Sequence, residues 1–262
     1  MELPGLSFKK QLDGFIDGVW SQLGGIAILL GAIWLVFLTD YIPYVQWSDW
    51  LALRPRHVTG LHGILTMPFA HGGFAHILSN TIPLIITLLT LTALRPKTWK
   101  WVVGLLIVTS GALTWLIAGY NSSIVGASGL VLALVTFLIS PGLFLLAWWG
   151  YQRFWGHSKP YPFKIRLIPI AVSAVVGFFC MDNLFFNLVP VMAPMGGSNV
   201  SWPAHWSGAI AGCIVAFLFI RSGEGDALPD EVNEAITELK SKGTTMEDLE
   251  GDPKNPYKPS VS

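Results

Sequence analysis

Asn121-Ser122-Ser123-Ile124-Val125-Gly126-Ala127-Ser128-Gly129-Leu130-Val131-Leu132-Ala133-Leu134-Val135 passes from a polar turn, through a group of small residues, into an apolar run that continues to Trp149. That run is long enough to cross a membrane, since about 20 residues rising ~1.5 Å each span a hydrocarbon core of ~30 Å. Ser128 stands at its mouth between Ala127 and Gly129. A serine there is either a small residue for helix packing or a chemical group, and the rest of the chain has to decide between them.

Composition sets the solvent. Of 262 residues, 52% are hydrophobic and only 12% charged, with 12 tryptophans, which excludes an ordinary water-soluble domain. Apolar stretches at residues 23–39, 76–94, 98–119, 128–149, 165–186 and 204–221 are expected to span the bilayer. They must be helices, because an open sheet edge leaves backbone groups unsatisfied in lipid. The expected fold is therefore all-α: a polytopic bundle of six transmembrane helices over residues 23–221, with a short arm at 1–22 and an acidic tail at 222–262. The first stretch starts too late for a secretory signal, and no small-residue cleavage site follows it, so it is expected to remain as a span.

Basic residues orient the bundle, because short translocated loops are depleted in Lys and Arg. If the six spans alternate, Lys9, Lys10, Arg95, Lys97, Lys100, Arg153, Lys159, Lys164, Arg166 and Arg221 share one side, and only Arg54 and Arg56 fall on the other. Both termini are then cytoplasmic, and residues 40–75, 120–127 and 187–203 face outward. The long first outer segment, with Tyr41, Tyr44, Trp47 and Trp50, has the aromatic, half-apolar character of the membrane interface.

The three spans entering from outside carry the unusual polar residues near their outer ends: His76 and Asn80 on the second, Ser128 on the fourth, His205 on the sixth. Polar side chains in spans are costly and tend to face a bundle interior or wet cavity, so four at one depth suggest a site. A serine hydroxyl becomes nucleophilic when a base removes its proton, and neutral His205 is suited to that role. Asn80, His76 and the Ser128 backbone N–H are candidate donors to an oxyanion, each donor of this kind being worth roughly 3 to 4 kcal/mol. Gly129 and Ala133 on one helix and Gly208 and Gly212 on another are spaced for close helix approach, which would bring Ser128 beside His205.

These residues resemble the rhomboid family of intramembrane serine proteases. His71-x4-His76-x3-Asn80, led by Thr66 and Phe69, is similar to the family's second-span signature. Gly126-Ala127-Ser128-Gly129 is similar to its nucleophile motif, and Ala204-His205-x2-Gly208-x3-Gly212 to its sixth-span motif. Six spans with cytoplasmic termini resemble the basic bacterial form, which points to a bacterial plasma membrane with the site opening outward. The resemblance implies a Ser128/His205 dyad, an oxyanion hole including His76 and Asn80, supporting roles for His71, Gly126, Gly129, Gly208 and Gly212, and cleavage of peptide bonds in or beside substrate spans. It also implies that the first outer segment lies partly in the bilayer, and that the fifth span and the loop holding residues 196–199 admit substrate.

Two positions depart from the family pattern. His62-Gly63 stands where many members have Trp-Arg, and Leu132 stands where some place an aromatic ring against the catalytic imidazole. Trp202 or Trp206 is expected to position His205 instead. Two other function classes use the same cavity: a non-catalytic helix-binding chaperone, which would need neither Ser128 nor His205, and a lipid-ester hydrolase, which would need an acyl pocket.

The remaining features read plainly. Asp182 is the one acid inside a span and a candidate third member of a triad, whereas the family reading is a dyad without an acid. No cofactor is expected, and no metal, because neither His57-x4-His62 nor His71-x4-His76 is completed by a Cys or carboxylate cluster. His57, His62 and His157 are expected to do no more than meet interfacial water. Cys180 and Cys213 read as core residues. The tail carries ten acidic residues against four lysines and is expected to hold at most a short helix over residues 229–240. Zero net charge argues against nucleic acid, leaving the lipid bilayer and transmembrane protein substrates as expected partners, with oligomeric state unread.

Overall fold

The computed structural model of the chain describes residues 8–155, Val175 and 201–222. Seven α-helices occur there: α1 (Phe8–Thr39), α2 (Trp47–Leu51), α3 (Gly63–Thr66), α4 (Phe74–Leu94), α5 (Trp99–Ile117), α6 (Ser128–Trp155) and α7 (Trp202–Ser222). Five of them, α1, α4, α5, α6 and α7, are long and apolar enough to cross a membrane. Among the described residues there is no strand, only an isolated antiparallel bridge between Leu53 and Ile124. The stretch expected as a fifth span, residues 165–186 with Cys180 and Asp182, lies outside the described residues, as do residues 196–199, His157 and the tail.

Two boundaries differ from the sequence expectation. Helix α1 starts at Phe8 rather than near residue 23, so most of the expected arm belongs to the helix. No proline interrupts residues 8–22, and isolated glycines cost a helix only about 1 kcal/mol each. Helix α6 runs on to Trp155 through Pro141, an interruption that packed membrane helices tolerate.

Helix directions follow from paired residues. Trp34 donates to the Thr81 hydroxyl at 3.1 Å and Phe37 lies by Phe74, while at the other end the Trp99 indole N–H donates to Gln22 at 2.7 Å. Thus α1 and α4 are antiparallel, and Arg95, Lys97 and Lys100 sit at the end of the bundle away from Ser128. Helices α6 and α7 instead run parallel: Gly208 lies against Gly129, and Gly212 lies further along against Ala133 and Thr136. Among the described residues that pair forms the most extensive helix contact, followed by α5 with α7.

The core and the lipid-facing surface are both apolar. Leu84, Leu88, Leu91, Val102, Leu106, Leu130, Leu134, Ala211 and Val215 are buried among the helices, while Ile28, Leu35, Trp101, Leu116, Leu146 and Leu218 point outward. Such outward apolar surface would be an aggregation site in water and is the expected face toward lipid. Many hydroxyls are satisfied within their own helices: Thr81, Thr87, Thr90, Thr114, Thr136 and Ser140 each donate to the carbonyl four residues earlier. This hides the polar group without a partner helix. Ser128 behaves differently.

Candidate active site

Ser128 opens α6, where Val131 N–H to Ala127 C=O at 2.9 Å is the first bond of the helical ladder. The N–H groups of Ser128, Gly129 and Leu130 therefore precede the ladder, at the positive end of the helix dipole. The segment leading to them is tied down residue by residue. Leu53 and Ile124 exchange both backbone bonds, at 2.9 and 3.0 Å. Gly126 N–H donates to Met67 C=O at 2.9 Å, and Ala127 N–H donates to His71 Nε2 at 3.3 Å. Gly126 has φ +118°, and a Cβ there would strike the His76 ring, so glycine is required both by conformation and by space.

His205, on the first turn of α7, places Nε2 2.8 Å from the Ser128 hydroxyl across a separation of 77 residues. The imidazole is buried, and its ring meets the edge of Trp202 at 5.9 Å between centroids, 79° between planes. Of the two candidates for positioning it, Trp202 makes this contact, while the Trp206 side chain is exposed. Leu132 is fully buried in α6. The approach that brings the pair together depends on glycine: a Cβ on Gly208 would press into the Gly129 carbonyl, and one on Gly212 into the Thr136 hydroxyl and Ala133 carbonyl. Gly129 is less constrained, its Cβ position lying 3.1 Å from the Ala204 carbonyl.

The His76 ring lies against Gly126, just before the serine, and 5.0 Å from the His71 ring at 65°. Asn80, one turn further along α4, is buried, and its Nδ2 has no hydrogen-bond partner among the described residues. A buried amide donor left unmade costs about 1–3 kcal/mol, so its position is unfavourable for folding alone. His71 is buried outside the spans, and its pKa is lowered to about 4, first by burial, then by neighbouring His76, against a smaller opposing contribution from the Phe69 backbone. It is therefore neutral at ordinary pH, as its acceptor bond from Ala127 requires.

His57 and His62 have partners that the sequence did not suggest. His62 packs its ring on Trp50 at 5.4 Å and its Nε2 meets the Trp50 carbonyl, while Thr66 donates to the Leu51 carbonyl at 2.9 Å. His62 thus secures the first outer segment, which has His62-Gly63 in place of Trp-Arg. His57 stacks on Tyr120 at 4.2 Å, so both residues do more than meet water. The two imidazoles engage different partners and no group of three or more metal-binding side chains occurs among the described residues. Cys213 Sγ lies 3.5 Å from the Ser140 hydroxyl in the α6–α7 contact.

A bundle of apolar helices long enough to cross a bilayer, with a serine–imidazole pair at one end, marks an integral membrane protein. The Rhomboid domain model matches residues 58–222, and the chain belongs to the rhomboid family. Uncharacterized proteins of Mycobacterium tuberculosis and Mycobacterium bovis are each 30% identical over 203 residues, covering 75% of this chain and 75% of their own. An uncharacterized protein of Mycobacterium leprae is 27% identical over 204 residues, covering 75% of this chain and 72% of its own.

Proposed function

We propose that this protein is an intramembrane serine endopeptidase that cleaves peptide bonds in or next to the spans of membrane proteins, with Ser128 as nucleophile and His205 as base. The observation that carries the reading is the 2.8 Å contact between His205 Nε2 and the Ser128 hydroxyl. The hydroxyls of Thr81, Thr87, Thr90, Thr114, Thr136 and Ser140 donate to their own helix backbone, whereas this one faces an imidazole from another helix.

In the reaction His205 accepts the Ser128 proton as the oxygen attacks the scissile carbonyl. Asn80 Nδ2, His76 and the free N–H groups at the start of α6 stabilise the oxyanion. His205 then protonates the leaving amine, and a water molecule, deprotonated by the same imidazole, hydrolyses the acyl enzyme. The unpartnered Asn80 donor supports its part in this scheme, since a donor held without a partner is preorganised for a charge that arrives only during reaction. His71, Gly126 and Met67 act as supports that hold the serine turn.

The topology belongs to the same proposal. Parallel α6 and α7 both begin at the serine end, which supports a return crossing between them and a total of six spans, the return assigned to residues 165–186. The excess of basic residues at the opposite end supports cytoplasmic termini and a site open to the outer side of a bacterial plasma membrane. The test is covalent labelling of the detergent-purified protein with a fluorophosphonate. Labelling lost in Ser128→Ala and His205→Ala supports the nucleophile and base; labelling retained in Ser128→Ala contradicts them. Cleavage of a lipid ester but of no transmembrane peptide would assign the dyad to an esterase.

A further inference from the structure

Arg54 and Arg56 are the two basic residues that the charge count puts at the serine end of the bundle, where short loops are depleted in them. Their surroundings give that exception a use. A cavity of about 180 Å³ opens between the first interhelical segment and the turn after α5, lined by Arg54, His57, Tyr120, Asn121, Ser122 and Ser123. One water needs only about 10–15 Å³ on this measure, so a group of several heavy atoms fits.

The walls of this open cavity are held by bonds to the rest of the bundle. The backbone of Arg54 is fixed on both sides, by the Leu53–Ile124 bridge and by Gly60, whose missing side chain lets it lie against Arg54. Arg56 donates to the Ala118 carbonyl at 2.9 Å and lies over the Tyr120 ring, while His57 stacks on the same ring. Ser122 donates to Gly119 at 2.6 Å, closing the turn. With Arg56 and Ser122 committed to holding the wall, the Arg54 guanidinium has no hydrogen-bond or ion-pair partner among the described residues. None of the six lining residues is acidic.

We propose that this cavity binds the phosphodiester of a membrane phospholipid, with Arg54 as the charged donor and Ser123 and Asn121 as neutral donors. A guanidinium presents paired N–H groups to phosphate oxygens, and such charge-assisted bonds are the strong ones. The lipid source is favoured because exposed apolar side chains flank the cavity along the chain: Val58 follows His57, and Leu116 and Ile117 end the helix just before the Tyr120 turn. A phosphate held by Arg54 would lay its acyl chains toward that surface. Through the Leu53–Ile124 bridge, occupancy would also steady the segment leading to Ser128, because a ligand that binds only the folded form stabilises it.

Native mass spectrometry of the full chain in detergent tests this with dioleoylphosphatidylglycerol, with dioleoylglycerol, which lacks the phosphate, and with inorganic phosphate as competitor. The expected result is a saturable phospholipid adduct, no matching glycerolipid adduct, and apparent affinity about tenfold or more weaker in Arg54→Gln. Ser123→Ala should weaken it severalfold and guards against misfolding of the arginine variant. Equal binding of dioleoylglycerol, or affinity unchanged in both variants, overturns the phosphate site. Displacement of the phospholipid by equimolar inorganic phosphate overturns the lipid assignment in favour of a free anion.

Discussion

Substitution of Gly208 by alanine probes the contact on which the Ser128–His205 pair depends. Alanine has the higher helix propensity, worth about 1 kcal/mol in an exposed helix, so by local preference the change would stabilise α7. Packing opposes it. The added methyl would lie well inside van der Waals contact of the Gly129 carbonyl, a backbone atom that cannot rotate away. The helices must separate on the order of 1 Å, since close-packed interiors transmit strain instead of absorbing it. The hydroxyl–imidazole distance, 2.8 Å in the native protein, would then pass beyond hydrogen-bond range. Overpacking of this kind costs roughly 1–3 kcal/mol, and a 1 Å misplacement at a reacting centre costs about 10²-fold in rate. Gly129→Ala serves as the graded comparison, because its methyl would meet the Ala204 carbonyl at 3.1 Å and needs only a few tenths of an ångström. Cleavage of a model transmembrane substrate and thermal unfolding, both in detergent, give the two readouts. Gly208→Ala is expected to lose about 10²-fold in activity and to melt earlier, with Gly129→Ala much closer to wild type. Full activity and an unchanged melting temperature in Gly208→Ala would refute the reasoning.

Other outcomes follow from the same geometry. Asn80→Ala is expected to lower kcat about 10²–10³-fold without lowering the melting temperature, because it removes a donor that has no partner in the resting protein; a large loss of stability with normal kcat would make Asn80 structural. His71 binds its proton only at about pH 4 when folded, against an ordinary 6.5, so the unfolded chain takes up a proton first as pH falls. Its contribution is therefore complete above about pH 6.5 and is lost as pH drops toward 4, by about 3 kcal/mol in total. Melting temperatures of wild type should fall more steeply over that window than those of His71→Asn, and parallel curves would remove His71 from the account. Asp182→Asn is expected to change turnover by no more than a few-fold, whereas the roughly 10⁴-fold loss known for soluble triads would add Asp182 to the mechanism.

The candidate site was legible in sequence to the extent that lipid makes polar residues conspicuous. Ser128, His205, His76 and Asn80 stood out because each interrupts an apolar run near one end, and hydropathy with charge counting placed those ends together. The glycine spacing on α6 and α7 was legible for a related reason, since close approach in a membrane leaves a small-residue imprint. What escaped the sequence was the irregular segment from residue 40 to 75. Its ties to the serine turn, Leu53 with Ile124 and Met67 with Gly126, are backbone bonds that do not depend on side-chain type and carry no periodic signal. His62 and His57 looked like interfacial residues because their partners, Trp50 and Tyr120, are distant in sequence and aromatic contacts leave no spacing rule. The early start of α1 was hidden because hydropathy marks where lipid begins, not where a helix does.

Catalysis by Ser128 and His205 is tested by incubating the purified protein, reconstituted in lipid vesicles, with a model transmembrane substrate and following the appearance of two cleavage fragments. The expected result is cleavage by wild type, none above background by Ser128→Ala or His205→Ala, and melting temperatures for both variants close to wild type. Fragments produced by Ser128→Ala at the wild-type rate would contradict it.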